Sequence, residues 1–381
     1  ARGPAQREPR PERRRHPRRA RRRDRHYGEL PGAVFPFEFY NGVVYHCCVM
    51  RATFAFDEEG RLELLEDQPS LVFGDQYDTT TPVTDENEVY QTTRDLFYVS
   101  DLTPYKPVTD VLIIGSAQAL GGKPAHEWLA TVKLGAVHKT VRITGPRYWV
   151  RRALGRWSLT KPEPTASVPL LYSRAYGGRL RPEVPYEELK PEELDMRNPL
   201  GRGFDAAHGG KEDRYPAPQI EYLQSLVQDD PSHQIEVAGL SPMPGHFWSR
   251  LQLSGTYDKE WEAKVAPHIP LDMDLRYWNA APSDQQVAPF VERGQTLALD
   301  GLLASGPVQL EIPNLIAWAQ VDDIHGKQSI EQMSLDTVTV DLDHRHLVLR
   351  WNWVVQSAPD IRRISLHCPR QDDWHNKRKE G

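Results

Sequence analysis

Ala52–Leu64 reads ATFAFDEEGRLEL. Apolar and polar residues alternate on both sides of Asp57-Glu58-Glu59-Gly60, so successive side chains sort onto two faces and the polar turn reverses the chain. The same design recurs in Thr131–Ile143 (TVKLGAVHKTVRI) around Gly135, and in Asp336–Leu349 (DTVTVDLDHRHLVL) around Asp343 and His344. These hairpins predict a mainly β chain of antiparallel, sandwich-like units with long ordered loops and a few short helices. They are too few and too dissimilar for a repeat solenoid.

Working outward, the chain divides into five stretches. Residues 1–27 form an Arg-rich arm expected to be disordered, and residues 28–169 an N-terminal β-rich unit. A loop-rich middle follows at 170–250, then a C-terminal β-rich unit at 251–358 and a polar tail at 359–381. In the middle, Ile220, Tyr222, Leu223, Leu226 and Val227 stand at near-helical spacing and predict one short helix. In the tail, Ile361, Ile364 and Leu366 are able to dock one last element.

Composition bounds the function. The chain has 381 residues, 39% of them hydrophobic, with 32 Pro, which suits a real core surrounded by many loops. Three Cys cannot form a paired framework. Cys47 and Cys48 are adjacent in a strand-like run and point to opposite faces, which favours a reducing compartment. Residues 1–26 hold 12 Arg against Glu8, Glu12 and Asp24, a balance of +9 that leaves −15 on the rest. Such an arm has the cationic density to meet phosphate, but it lacks any pattern beyond that, and no nucleic-acid partner is expected. No apolar run approaches the ~20 residues that a spanning helix needs, and no apolar h-region follows the arm. A cytoplasmic protein without a membrane span or signal peptide is expected.

Motifs for chemistry fail in detail. Asp110–Pro124 (DVLIIGSAQALGGKP) has the outline of a strand followed by a phosphate loop. Yet Ala117 stands where the first Gly belongs, and Pro124 follows Lys123 in place of Ser or Thr. His344, His346, Asp341 and Asp343 have metal-ligand chemistry, but a solvated hairpin tip explains them more simply. Asp272 and Asp274 share a strand-like face, which is the arrangement of an acid/base pair or of two loop anchors. Neither a metal nor a cofactor is expected.

What remains is a series of stiff loops. Ser100–Gly115 (SDLTPYKPVTDVLIIG), Arg174–Gly178 (RAYGG), Asn198–Gly203 (NPLGRG), Gly255–Trp261 (GTYDKEW) and Leu271–Gln285 (LDMDLRYWNAAPSDQ) are rich in Gly and Pro. Gly opens backbone angles that Cβ forbids and Pro fixes φ, so these loops present side chains in set directions. Aromatic and Arg side chains dominate protein interfaces. The candidate partner contacts are Lys106, Arg174, Tyr176, Asn198, Arg202, Tyr257, Asp258, Trp261, Asp272, Asp274 and Asp284. Tyr176, Arg174 and Arg202, beside their glycines, are expected to be exposed, with internal bracing of the loops through carboxylate pairs as the alternative for the two arginines. Trp351 and Trp353 share a strand face and are expected in the core.

The ordered set of motifs resembles a known family. Ser100-Asp101-Leu102, Pro104, Lys106-Pro107, Asp110-Val111-Leu112, the RAYGG and NPLGRG loops, Gly255-Thr256-Tyr257-Asp258 and Leu335-Asp336-Thr337-Val338 occur in its order and at similar spacing. Between about Phe35 and Trp353 the chain resembles the bacterial domain-of-unknown-function family encoded beside type VI secretion genes. The resemblance implies a cytoplasmic adaptor that brings a toxic effector to the VgrG spike or PAAR tip, and it supplies no catalytic residues. Two other functions compete with it: a hydrolytic enzyme using Asp258, Asp272 and Asp274, and a structural component of a contractile injection machine.

Overall fold

The computed structural model describes residues 30–39, 42–78, 94–181, 184 and 188–368. The expected arm at 1–27 and the end of the polar tail lie outside the described residues. The chain is mainly β, with three short α-helices among the described residues.

Two large sheets carry the fold. The first joins β1 (Gly32–Glu38), β2 (Val44–Phe56), β3 (Leu62–Leu64), β4 (Thr109–Ile114), β8 (Gln286–Val287), β11 (Ser334–Asp341) and β12 (His346–Gln356). Its order is β1-β2-β12-β11-β4-β8, with β3 paired to the end of β2. The second contains β5 (Glu127–Leu134), β6 (Val137–Thr144), β7 (Ile220–Tyr222), β9 (Thr296–Asp300) and β10 (Val308–Glu311), in the order β7-β6-β5-β9-β10. The three hairpins read from the sequence are β2–β3, β5–β6 and β11–β12. Each sheet mixes strands from before residue 169 and after residue 251, so the two β-rich stretches interleave instead of closing separate sheets.

The alternation that predicts these strands also builds the core. Cys48, Met50, Ala52 and Phe54 of β2 join Val338 and Val340 of β11 and Leu349 and Trp351 of β12 on one apolar face. Val132 and Leu134, Val141 and Ile143, and Leu297 and Leu299 of the second sheet belong to the same buried cluster. The sheets therefore share one core, as in a β-sandwich. Trp353 packs against this cluster from its margin. Cys47 and Cys48 are both free and fully buried, and burial pushes each thiol up to about 12.

Within the two large sheets, one pairing departs from the antiparallel expectation. β11 runs parallel to β4, with Thr337 opposite Asp110 and Asp341 opposite Ile114. The two strands are far apart in sequence, so a crossover is available that a tight hairpin lacks. The helix expected at Ile220–Val227 is also not formed. Ile220–Tyr222 is instead the edge strand β7, paired to Val141–Ile143. Its middle residue, Glu221, is fully buried and accepts hydrogen bonds from Arg142 Nε and Arg147 Nη2, each at 2.7 Å. That tertiary ion pairing outweighs the local spacing. In the described part of the tail, Ile361–His367 pairs with Trp318–Asp323, and Ile364 and Leu366 pack on the main core.

The outer face of the first sheet is polar and still buried. Arg51 and Arg350 are direct cross-strand neighbours on β2 and β12. Arg51 pairs with Asp101 at 3.0 Å, and Arg350 pairs with Asp336. Asp336 sits where the β11–β12 register shifts, which frees its carboxylate from the ladder's regular alternation. Arg350 also donates to the carbonyls of Asp101 and Thr103, and Asn352 to that of Pro104. The segment after Ser100 thus lies across the sheet as a strap held by buried charge.

Candidate functional site

Each stiff loop turns out to be built around side chains that hold it in place. Lys106 ends the strap, and it is only 1% exposed. Its ammonium donates to Asp110 Oδ2 at 2.8 Å and to Thr337 Oγ1 at 2.9 Å. Asp110 in turn accepts from Asn279 Nδ2 and from the backbone amides of Ala280 and Ala281. One carboxylate therefore ties the strap to the Leu271–Gln285 loop. Lys106 is a buried brace, a correction to its expected place among exposed contacts.

The RAYGG and NPLGRG loops brace one another. Tyr176 and Gly177 run parallel to Arg202 and Gly203 as a two-residue ladder. Asn198, fully buried, donates through Nδ2 to the carbonyls of Tyr172 (2.8 Å) and Tyr176 (2.9 Å). Gly177 has φ 139°, and a Cβ there would stand 2.1 Å from the Asn198 carbonyl oxygen. Gly203, at φ 105°, leaves no room beside the Trp149 ring. The glycines are required because two chains approach more closely than any side chain allows. Tyr176 is buried in a small cluster with Trp149 and Tyr215, so its expected exposure is overturned, and Asn198 is likewise interior.

Arg174 and Arg202 emerge from this bracket half-buried and side by side. Both reach Gln219 Oε1, Arg174 at 3.3 Å and Arg202 at 3.5 Å. Arg202 Nε also donates to the Ser173 carbonyl at 2.8 Å. Burial first, and the neighbouring Arg174 charge second, bring the Arg202 guanidinium down to about 10. Neither makes an ion pair among the described residues.

A surface lobe gathers Tyr257, Asp258, Trp261, Asp272 and Asp274. Asp258 caps the N-terminus of the short helix Lys259–Lys264 by accepting from Trp261 N at 2.8 Å. Asp272 accepts from Thr256 N and Oγ1, and Asp274 from Arg276 N and its guanidinium. Those bonds hold both carboxyls below the ordinary range. Tyr257 is 56% exposed and meets Trp261 edge-on at 4.7 Å between ring centroids. This lobe does present an aromatic surface, with its carboxylates serving as loop anchors.

Asp284 occupies a different place. A cleft of about 800 Å3 lies between the middle loops and the 276–286 segment, lined among others by Tyr172, Tyr222, Arg197, Arg250, Arg276 and Asp284. Asp284 accepts from Lys139 Nζ at 2.8 Å and from the Tyr222 hydroxyl at 2.7 Å. Lys139 is buried beneath the Tyr222 ring, and burial lowers its ammonium to about 8 against the pull of Asp284. The cleft wall also carries Arg250, whose guanidinium bonds the carbonyls of Met243 and Tyr277. Reasoning from sequence missed Lys139 and Tyr222. A signal was present: Lys139 falls in the apolar phase of β6, between Val137 and Val141, where a charge needs a partner.

Among the described residues, no group of three or more His, Cys, Asp or Glu is placed to hold a metal ion. At the β11–β12 tip, His344 Nδ1 meets Asp341 Oδ2 at 2.8 Å and its ring stacks on that of His346. No described helix is long and apolar enough to cross a membrane.

Comparison with known proteins adds one match. No curated protein and no solved structure matches the chain. The model of a family described as uncharacterised proteins conserved in bacteria (DUF2169) matches residues 41–352. That span contains the second sheet, the first sheet apart from β1 and the end of β12, the mutual bracket of the RAYGG and NPLGRG loops, the surface lobe and the cleft. The chain belongs to this bacterial family.

Proposed function

We propose that the protein is a non-enzymatic adaptor. It seats a segment of a secreted effector in the cleft and delivers it to the VgrG or PAAR spike of a type VI secretion system. The observation that carries this reading is the open cleft of about 800 Å3, whose walls combine Tyr and Arg side chains on loops braced from below. Tyr and Arg are the residue types that anchor protein interfaces, and preformed loops reduce the ordering cost of binding. The resemblance of the motif set to the family encoded beside type VI secretion genes is what supports these partners.

The carboxylates weigh in the same direction. A general acid needs a carboxyl held protonated near neutral pH. Asp272 and Asp274 are instead held down by Thr256 and Arg276, and both stay ionised while anchoring loops. Asp284 is committed to Lys139 and Tyr222.

The test is co-purification of the tagged full chain from its native host, with Ser283→Trp as a comparison. Ser283 is exposed and lines the cleft, so an indole there obstructs it without disturbing the core. The expected result is recovery of an effector and a spike protein by the native chain, and loss of the effector alone by Ser283→Trp at unchanged melting temperature. Recovery of neither partner, or localisation of the protein inside purified sheath–tube particles, would overturn the proposal.

A further inference from the structure

Arg174 and Arg202 stand out once every buried charge has been assigned a partner. Two guanidinium groups share a single neutral oxygen, Gln219 Oε1, at 3.3 and 3.5 Å, the second at the outer limit of a hydrogen bond. Gln219 cannot shift to serve them better. Its Nε2 donates to the Thr144 carbonyl at 3.0 Å, and its backbone amide donates to the Arg174 carbonyl. Arg174 Nε is buried with no hydrogen-bond partner. The carboxylate whose charge acts on Arg202, Asp95, accepts from the Ser173 amide at 2.9 Å and forms no ion pair with either guanidinium.

Two like charges held together with no ion-pair partner among the described residues repel one another, and half-burial strengthens the repulsion. The lowered Arg202 agrees with that geometry. The bracket beneath fixes both side chains, since Tyr176–Gly177 and Arg202–Gly203 are laddered and Asn198 locks their turns. Paired planar forks of this kind match the oxygens of a carboxylate. Apart from residues 1–26 the chain carries −15, which opposes an extended polyanion such as nucleic acid while leaving room for one local acid.

We infer that Arg174 and Arg202 form a receptor for a carboxylate carried on a protein segment, a Glu or Asp side chain or a chain terminus. Gln219 holds the two forks apart until that carboxylate enters between them. This inference stands on these side chains alone, so its test is separate from that of the adaptor reading.

The experiment titrates the full chain into a fluorescein-labelled octapeptide carrying two Glu among Gly and Ser, at low salt, and reads anisotropy. Saturable binding is expected, and the same peptide with Gln in place of Glu should not bind. Arg174→Gln and Arg202→Gln should each weaken binding about tenfold, the scale of one lost charge-assisted hydrogen bond. Gln219→Glu, which places a carboxylate between the forks, should weaken it by a similar factor. Thermal melts accompany each variant. Where a Gln variant fails to fold, Gln219→Glu and Arg202→Lys carry the test. Absence of saturable binding, equal binding of the Gln peptide, equal binding by folded variants, or tighter binding of inorganic phosphate than of the Glu peptide would each overturn the inference.

Discussion

Two pairs of arginines sit in this molecule, and they are treated in opposite ways. Arg51 and Arg350 are direct neighbours across β2 and β12, buried under the strap. Each has its own carboxylate, Asp101 and Asp336. Arg174 and Arg202 are also neighbours on a rigid support, but they share only an amide oxygen. The first pair shows how this chain deals with like charges that serve the fold. Measured against it, the second pair is left open toward solvent, and that openness separates a binding feature from a brace. Similar Gly- and Pro-rich motifs surround both, so motif stiffness by itself does not distinguish them.

The sharpest way to break the comparison is Asp336→Ala. It leaves Arg350 buried beside Arg51 without its carboxylate, and the expected loss is about 3–5 kcal/mol in urea unfolding. A loss below about 1 kcal/mol would mean that the compensated pair is no tighter than a surface one. Next comes the support of the open pair. Gly177→Ala forces a Cβ against the Asn198 carbonyl at positive φ, and about 2–3 kcal/mol of destabilisation is expected.

Acid provides a third, smaller probe, through a cation on the cleft wall. Burial and the Arg250 charge bring His246 from 6.5 down to about 4. The unfolded chain therefore takes up this proton first, so the contribution of His246 to stability is constant above pH 6.5 and falls as pH drops from 6.5 toward 4. His246→Gln should flatten that part of the stability–pH curve, and an unchanged slope would remove His246 from the account. The smallest effect sharpens the contrast most. Arg202→Gln should change stability by less than about 1 kcal/mol, because relief of repulsion offsets the lost Ser173 contact. A loss comparable to that of Asp336→Ala would make Arg202 a brace after all.

The three hairpins were legible because their apolar faces alternate without interruption and their turns are polar. The sandwich followed from them. The parallel β4–β11 pair was not legible, since nothing local links Asp110–Ile114 to residues more than two hundred positions away. Ile220–Tyr222 was misread as helical because spacing alone ignores Arg142 and Arg147, whose pull on Glu221 holds the strand. The site was only partly visible. Tyr257 and Trp261 do lie at the surface of their lobe, and Asp284 lines the cleft. Lys106, Tyr176 and Asn198 were read as presented because polar residues in Gly/Pro loops look exposed, yet here they supply the interior bonds that make those loops stiff. Arg174 and Arg202 gave no hint of their adjacency, which depends on two separate turns meeting at Gly177 and Gly203.

The position of β12 has a consequence for how the protein is made. It lies between β2 and β11 in the first sheet, yet it is synthesised after both. Until residues 346–356 leave the ribosome, β2 is paired on one side only, by β1 and β3, and its other edge stays open. Such an edge invites pairing with other nascent chains. Release factors or stalling that cut translation short before β12 should yield aggregates instead of a smaller working protein.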